Sequence, residues 1–411
     1  MPPSRRHSAC AALGLGTLPS TYTGSSCQAN HVHAGHGFAP LTSTIDVASH
    51  AWPRLRATWG ILHAQLQHPT MFLSEAWVDC WLTVFGRDAS PLLWVARAGD
   101  AVVAMALLVR RWERRGPVPV RCLYLNTAGE GADSVTLEHN ALLVQPGCED
   151  AAWQALAETL HSLPWDELIL AGGDIEAAQR LRHMFAGWPV HLDGRPAPNV
   201  PLRAVREQDD GVLGLLSANT RSQLRRAARV ASAVAPLSLH EATTPAERSA
   251  EWQELSRLHE ARWRERGQAG AFARPRWRAF HERLLEVAPQ NTRLLQLRVG
   301  SDTVAALYVL QFQGHVAFYQ SGVKHANGNN REKPGMLLHT MAIDRLAAEG
   351  LEEYDFLASD GPEVRYKRSL AMQERVLWWG AVFRPTWRSR LVRALRALRT
   401  AVHSALQLAG R

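Results

Sequence analysis

Apolar positions along this chain recur with two periods, and the same order of switches between them occurs twice. Leu92–Ala98 and Ala101–Val109 read as two strands joined at Gly99-Asp100, and Leu294–Val299 and Thr303–Leu310 read as two strands joined at Gly300-Ser301-Asp302. A helical stretch precedes each hairpin, over residues 72–85 in the first half and 251–263 in the second. After each hairpin come a third strand, a helix opened by Pro-Gly and a further strand. Pro146-Gly147 opens a helix with Trp153, Leu156, Leu160 and Leu163 on one face, followed by a strand over residues 165–171 that closes at Asp174. Pro334-Gly335 opens its counterpart with Leu337, Leu338, Met341, Ile343 and Leu346, followed by residues 354–358 and Asp360. The Gly-to-Asp spacing is 27 residues in one copy and 25 in the other. Matched landmarks in the same order predict a duplicated α/β unit with mixed sheet.

The proline cluster Pro196, Pro198 and Pro201 sets the expected boundary between the copies. The organisation read from the chain is a disordered tail over residues 1–45, a first domain over 46–200, a second over 201–383 and a basic amphipathic helix over 384–411. With 411 residues and 46% hydrophobic content, the chain has the length and composition for two such domains. Its longest apolar run, Val102 to Val109, is far short of the roughly 20 residues that span a bilayer. Five cysteines without CxxC spacing argue against a zinc ribbon or a disulfide framework and suggest a reducing, cytoplasmic setting. Two glycines dilute the apolar stretch after Arg5-Arg6, so export is not expected.

The net charge of +8 is concentrated in two places. Residues 211–239 hold Arg221, Arg225, Arg226 and Arg229 with no acid, and residues 384–411 hold seven arginines with no acid. The remainder is mildly acidic, which does not suit a general DNA binder and points to local attraction for an anion. Arg221, Arg225 and Arg229 recur every four residues behind the N-cap candidate Ser217, which leaves either a solvated face or an anion-facing one. In the last segment Trp387, Leu391, Leu395, Leu398 and Val402 alternate with arginines. That helix either docks on the body or lies on an anionic membrane, the inner face of the cell membrane in a cytoplasmic setting.

The two Pro-Gly helix starts differ in chemistry. Glu149 and Asp150 fill the first turn of one, whereas Arg331 and Lys333 flank the other and no acid follows Gly335 in its first turn. Free backbone N–H groups, a positive helix end and two cations make the second a phosphate-binding candidate. Asp355 faces away from Tyr354 and Phe356 on a buried strand, held either for structure or for chemistry. Asp360 lies in the loop beyond it, followed by Tyr366 and Lys367 as a candidate acid and cation. No HxxxH, HExxH, GxSxG, GxGxxG or Walker spacing occurs, so no metal is expected.

The runs Ser217–Arg229, Lys333–Leu338, Tyr354–Phe356 and Tyr366–Arg368 together resemble the acetyltransferase-type domain of the Gcn5-related N-acyltransferase (GNAT) superfamily, in the branch of cellulose-biosynthesis CelD-like proteins and the FemAB peptidyltransferases. The resemblance implies a tandem acyl-CoA N-acyltransferase fold, the second copy binding the donor and the first serving as scaffold. It implies acetyl-CoA or a longer acyl-CoA as co-substrate, held by Arg331, Lys333, Gly335, Met336 and Leu337. Asp355, Tyr366 and Lys367 would act on the reacting groups, and Arg221, Arg225 and Asp360 on the acceptor, a small-molecule or saccharide amine of an envelope or exopolysaccharide precursor. The superfamily's glycine-rich pyrophosphate loop keeps only Gly335 here. Two alternatives stay open: aminoacyl transfer from tRNA, as in FemAB relatives, and a non-catalytic accessory subunit of polysaccharide assembly.

Overall fold

A computed structural model describes residues 41–129, 135–324, 333–359, 361 and 363–409. The first half supplies β1 (Thr42–Val47), β2 (Leu92–Ala98), β3 (Ala101–Arg115), β4 (Val118–Leu125), β5 (Leu143–Val144), β6 (Glu167–Gly173) and β7 (Val190–Pro201). The second supplies β8 (Leu237–Glu241), β9 (Thr292–Val299), β10 (Asp302–Phe312), β11 (His315–Val323), β12 (Glu353–Asp355) and β13 (Gln373–Phe383). Both predicted hairpins form, at β2–β3 and β9–β10. Thr42–Val47, which overlaps the end of the stretch expected to be a tail, is an edge strand paired with β2; residues 1–40 lie outside the described residues.

All thirteen strands join one mixed sheet in the order β1-β2-β3-β4-β6-β13-β7-β12-β11-β10-β9-β8, with β5 beside β3. Read from its two ends toward the middle, the sheet repeats itself: β1 to β4 and β6 match β8 to β12. The duplication is therefore visible in connectivity as well as in sequence. The final strands are exchanged. β7, which ends the first half, pairs with β12 of the second, and β13, which ends the second, pairs with β6 of the first. β7 and β13 then pair with each other, antiparallel over ten residues, at the centre. Pro196 to Pro201, read from sequence as a boundary, is thus extended backbone inside a central strand.

The pleat sends alternate side chains to opposite faces. Leu93, Val95, Met105, Leu107 and Val109 of the first half join Leu294, Tyr308, Leu310 and Ala317 of the second in one core. The helices Ala48–Ala64, Glu75–Ala89, Pro245–Glu265 and Pro275–Val287 pack there, so this core crosses between the halves. On the other face each half has its own core. Trp94, Leu108 and Leu168 pack under helices Glu149–Ser162 and Ile175–Met184. Leu297, Leu307 and Val316 pack under Ala218–Val234 and Pro334–Ala348. The expected cap at Ser217 forms, its Oγ accepting from Thr220 N, and Asp174, read as a strand end, also caps a helix, its Oδ1 accepting from Ala177 N.

The central pair has no room at Gly380, where an added Cβ would run into the carbonyl oxygen of His191 and into Leu192. Gly380→Ala is expected to lower unfolding stability by about 2 kcal/mol or more, the range for overpacking a site that cannot relax. Chemical denaturation checks this, and an unchanged midpoint would contradict the β7–β13 register.

Candidate active site at the junction of the two halves

β11 and β12 run parallel but pair over only three residues, His315 with Glu353, Val316 with Tyr354 and Ala317 with Asp355. β11 continues to Val323, while the chain beyond Asp355 leaves the ladder, so the two open as a wedge with Asp355 at its vertex. At the opening β11 carries a bulge: Tyr308 faces Gln320 and Val309 faces Phe318, which leaves Tyr319 as the extra residue. The free arm of β11 is fixed from behind. Gly322 lies so close to helix Pro245–Glu265 that a Cβ would sit 2.6 Å from Leu258 Cβ, and His259 Nδ1 donates to Ser321 O at 2.9 Å.

Asp355 has no solvent access. Its Oδ2 accepts from His139 Nε2 at 2.8 Å and His315 Nε2 at 3.3 Å, and its Oδ1 accepts from Leu357 N at 2.7 Å. Arg375 Nη1 stands 4.0 Å away. Burial alone would raise the carboxyl pKa, but the hydrogen bonds and charges of the two histidines outweigh it and hold the group well below the usual carboxylate range. An ionised Asp355 that accepts from both Nε2 atoms fixes Nε2 as a proton-bearing nitrogen of each ring, so that Nδ1 is the acceptor whenever the ring is neutral. Among the described residues, His315 Nδ1 is buried without a partner. His139 belongs to the first half and takes a left-handed backbone, φ 52°, uncommon for a side chain of its size.

The second arm, Phe356 to Ser359, is held by side chains. Phe356 N donates to Pro198 O at 2.9 Å, but Pro198 has no N–H to return the bond, and Lys367 Nζ donates to Phe356 O at 2.6 Å in its place. Lys367 also donates to Leu357 O at 3.3 Å and to Ser359 Oγ. Ala358 N donates to Glu138 Oε2 at 2.7 Å. Leu357 itself is left-handed, φ 60°. Lys367, read from sequence as a candidate cation, is a buried clamp on the arm's carbonyls. Burial pushes the Glu138 carboxyl up to about 8, against the Ala358 hydrogen bond.

The face of the wedge toward helix Pro334–Ala348 is aromatic. Phe318 and Phe356 stand across the opening, 6.4 Å between centroids, with His339 between them at 4.6 and 5.2 Å and Tyr366 6.1 Å from His339. Burial lowers the His339 pKa to about 3, so this ring is neutral. The same helix begins as expected, with no acid in its first turn and Lys333 left-handed just before it. Lys333 Nζ donates to Gln223 Oε1 at 2.6 Å, which ties the helix start to Ala218–Val234. A Cβ on Gly335 would come 3.2 Å from Val323, at the tip of the β11 arm. Met336 is half-buried and Leu337 buried beside it. Arg221 donates to Leu216 O and Arg225 pairs with Asp210 at 2.8 Å, so both serve their own neighbourhood and not the Asp355 cluster. Arg331 and Asp360 lie outside the described residues.

On the first-half side of the vertex is a cleft of about 880 Å³. His139 and Arg375 line it next to the cluster, Trp153 and Trp378 line it with apolar surface, and Glu149 and Asp174 are among its acids. His139 thus touches both the cleft and Asp355. His139, His315 and Asp355 also offer one ligand atom each within 4.8 Å, a set able to hold a divalent ion. Arg375 beside Asp355 works against such a charge.

Sequence reasoning missed His139, His315 and Glu138 as site residues. The one trace of Glu138 and His139 in the sequence is the polar triplet Glu138-His139-Asn140 between apolar Leu137 and Ala141, where Glu138 and Asn140 prove to be buried; no such local pattern marks His315.

The wedge, the exchanged strands and the aromatic floor define a class of fold, and comparison with known proteins specifies it. Residues 218–368 match the acetyltransferase (GNAT) domain family. The structure of FemX is similar over 80% of this chain and 96% of that one, at 9% identity and a TM-score of 0.53. A conserved protein of unknown function from Bacteroides thetaiotaomicron covers 80% and 97%, at 8% identity and TM-score 0.53. The C-terminal domain of a putative lysylphosphatidylglycerol synthetase from Agrobacterium fabrum covers 84% and 95%, at 10% identity and TM-score 0.50. No curated protein matches the chain. The chain therefore has a GNAT-type, FemAB-related fold, with the match to the acetyltransferase domain confined to residues 218–368.

Glu138 supplies a pH test. Its folded pKa lies above its unfolded one, so the folded state binds the extra proton and stability falls as pH rises from about 4.5 to about 8. Glu138→Gln removes that term and still accepts from Ala358. Relative to wild type, the variant is expected to gain stability steadily across this window in denaturation series; a difference independent of pH would contradict the assignment.

Proposed function

We propose that the protein is an N-acyltransferase that moves an acyl group from acyl-CoA to the amine of a saccharide, of the kind used in cell-envelope or exopolysaccharide synthesis. The observation that carries this reading is the placement of His139, oriented by Asp355, where the donor wedge meets the large cleft. The pantetheine arm enters the wedge between the free end of β11 and the arm Phe356 to Ser359, over the aromatic floor, with its phosphates toward Lys333 and the start of helix Pro334–Ala348. The acceptor enters by the cleft, whose indoles and amide side chains, Trp153, Trp378, Asn140 and Asn199, suit a sugar.

In the reaction the ammonium first loses one proton to solvent through the cleft; as the neutral amine attacks, its nitrogen gives its surplus proton to His139 Nδ1, Asp355 stabilises the imidazolium through Nε2, and the imidazolium returns that proton to solvent after release. The amine nitrogen attacks the thioester carbonyl carbon, the C–N bond forms, the C–S bond breaks, and the CoA sulfur leaves with the electron pair. Tyr366, half-buried beside the aromatic floor, gives the sulfur its proton and recovers one from solvent. Lys367 and Glu138 hold the arm and are positioning residues.

Titration calorimetry of the full chain is expected to show one site for acetyl-CoA or a longer acyl-CoA, lost in Gly335→Glu. His139→Ala is expected to keep that affinity and to lower thiol release from acyl-CoA in the presence of amino sugars by about 10²- to 10⁴-fold, the usual worth of a positioned base. Failure of any CoA species to bind would remove the reading and favour an aminoacyl-tRNA donor or an accessory role.

A further inference from the structure

The C-terminal helix Trp387–Ala409 carries two apolar faces, and only one is used by the fold. It is fastened at its start, where Thr386 Oγ1 donates to Asp166 Oδ1 at 2.8 Å and Ser389 Oγ donates to Asp166 O at 2.8 Å. Val392 is buried and Leu395 packs on the core shared by the two halves. Trp387, Leu391, Ala394 and Leu398 follow at i, i+4, i+7 and i+11, one stripe of the helix, and all four are exposed. Trp387 is 62%, Leu391 42% and Leu398 61% exposed.

The stripe is continued by the sheet. Trp112 of β3 is 63% exposed, and the Arg388 guanidinium lies between it and Trp387, 5.3 and 4.7 Å from the two rings. Cations border this surface. Arg390, Arg393 and Arg399 are exposed on the helix beside the stripe, and Arg110 and Arg114 are exposed on the same face of β3 as Trp112. No acid lies in residues 384–411. Among the described residues, no helix is long and apolar enough to cross a membrane. The helix is nevertheless held with its second apolar face outward, and two tryptophans sit at its edge.

We infer that this face docks on an anionic lipid bilayer, with Leu391, Leu398 and the two indoles at the acyl boundary and the arginines on the headgroups. Exposed indoles and leucines framed by arginine are the composition of an interfacial surface, and an arginine border matches negative headgroups in charge. The inference is independent of the acyl-transfer reading, since none of these residues belongs to the wedge or the cleft.

Co-sedimentation of the full chain with vesicles tests it. Binding is expected to vesicles of phosphatidylcholine with about one third phosphatidylglycerol, to be weak on phosphatidylcholine alone, and to weaken as salt rises. Leu398→Glu, an exposed position, is expected to keep the far-UV spectrum and the wild-type denaturation midpoint and to bind anionic vesicles at least tenfold less. Trp112→Ala, on a different element, is expected to weaken binding as well. Absence of binding to anionic vesicles, or binding indifferent to both substitutions, would overturn the inference. So would a face that binds RNA in place of vesicles, or one that forms a dimer that Leu398→Glu separates and vesicles do not.

Discussion

A carboxylate sealed from water must find all its partners in the protein, and Asp355 finds them on four separate stretches of chain. His139 comes from the first half, His315 from β11, Leu357 from the arm beyond β12 and Arg375 from β13. Breaking a buried charge away from such partners is among the costlier changes a fold can suffer. The position of each segment is therefore tied to the others through one side chain. The wedge has a fixed vertex for the same reason: β12 cannot continue along β11 while Asp355 accepts from the peptide of Leu357, two residues on.

The exchange of last strands creates this requirement. By placing β7 against β12 and β13 against β6, the chain makes each half incomplete without the other, and it brings the proline-rich β7 next to the wedge. Pro198 cannot complete its bond to Phe356, which opens that carbonyl to Lys367. A missing N–H in a central strand would ordinarily weaken the sheet. Here it lets a buried lysine grip an irregular segment, and that segment forms the second wall of the site. Leu357 and His139, both left-handed, show where the backbone departs from regular geometry to meet around Asp355.

Much of the architecture was legible in the sequence because local periodicity records it. The two hairpins, the two Pro-Gly helices, the cap at Ser217 and the direction of Asp355 all follow from residue spacing, and so did the duplication. The strand exchange was not legible, because an extended segment with prolines looks the same whether it links two domains or pairs across them. Lys367 could not be told from a surface charge, since its burial depends on a carbonyl orphaned by a proline 169 positions earlier. His139 escaped for a related reason: its partner is 216 positions away, and no short motif joins them. The aromatic and arginine pattern at the C-terminus was visible, but which of its apolar residues the body covers is a property of the packed helix.

The most direct test of the account is the structure of the protein with CoA bound. The thiol is expected in the wedge between the free end of β11 and the arm Phe356 to Ser359, directed at His139, with the pyrophosphate at the start of helix Pro334–Ala348. CoA bound instead in the first-half cleft, or with its sulfur away from His139, would contradict the claim that donor and acceptor meet at the residue Asp355 holds.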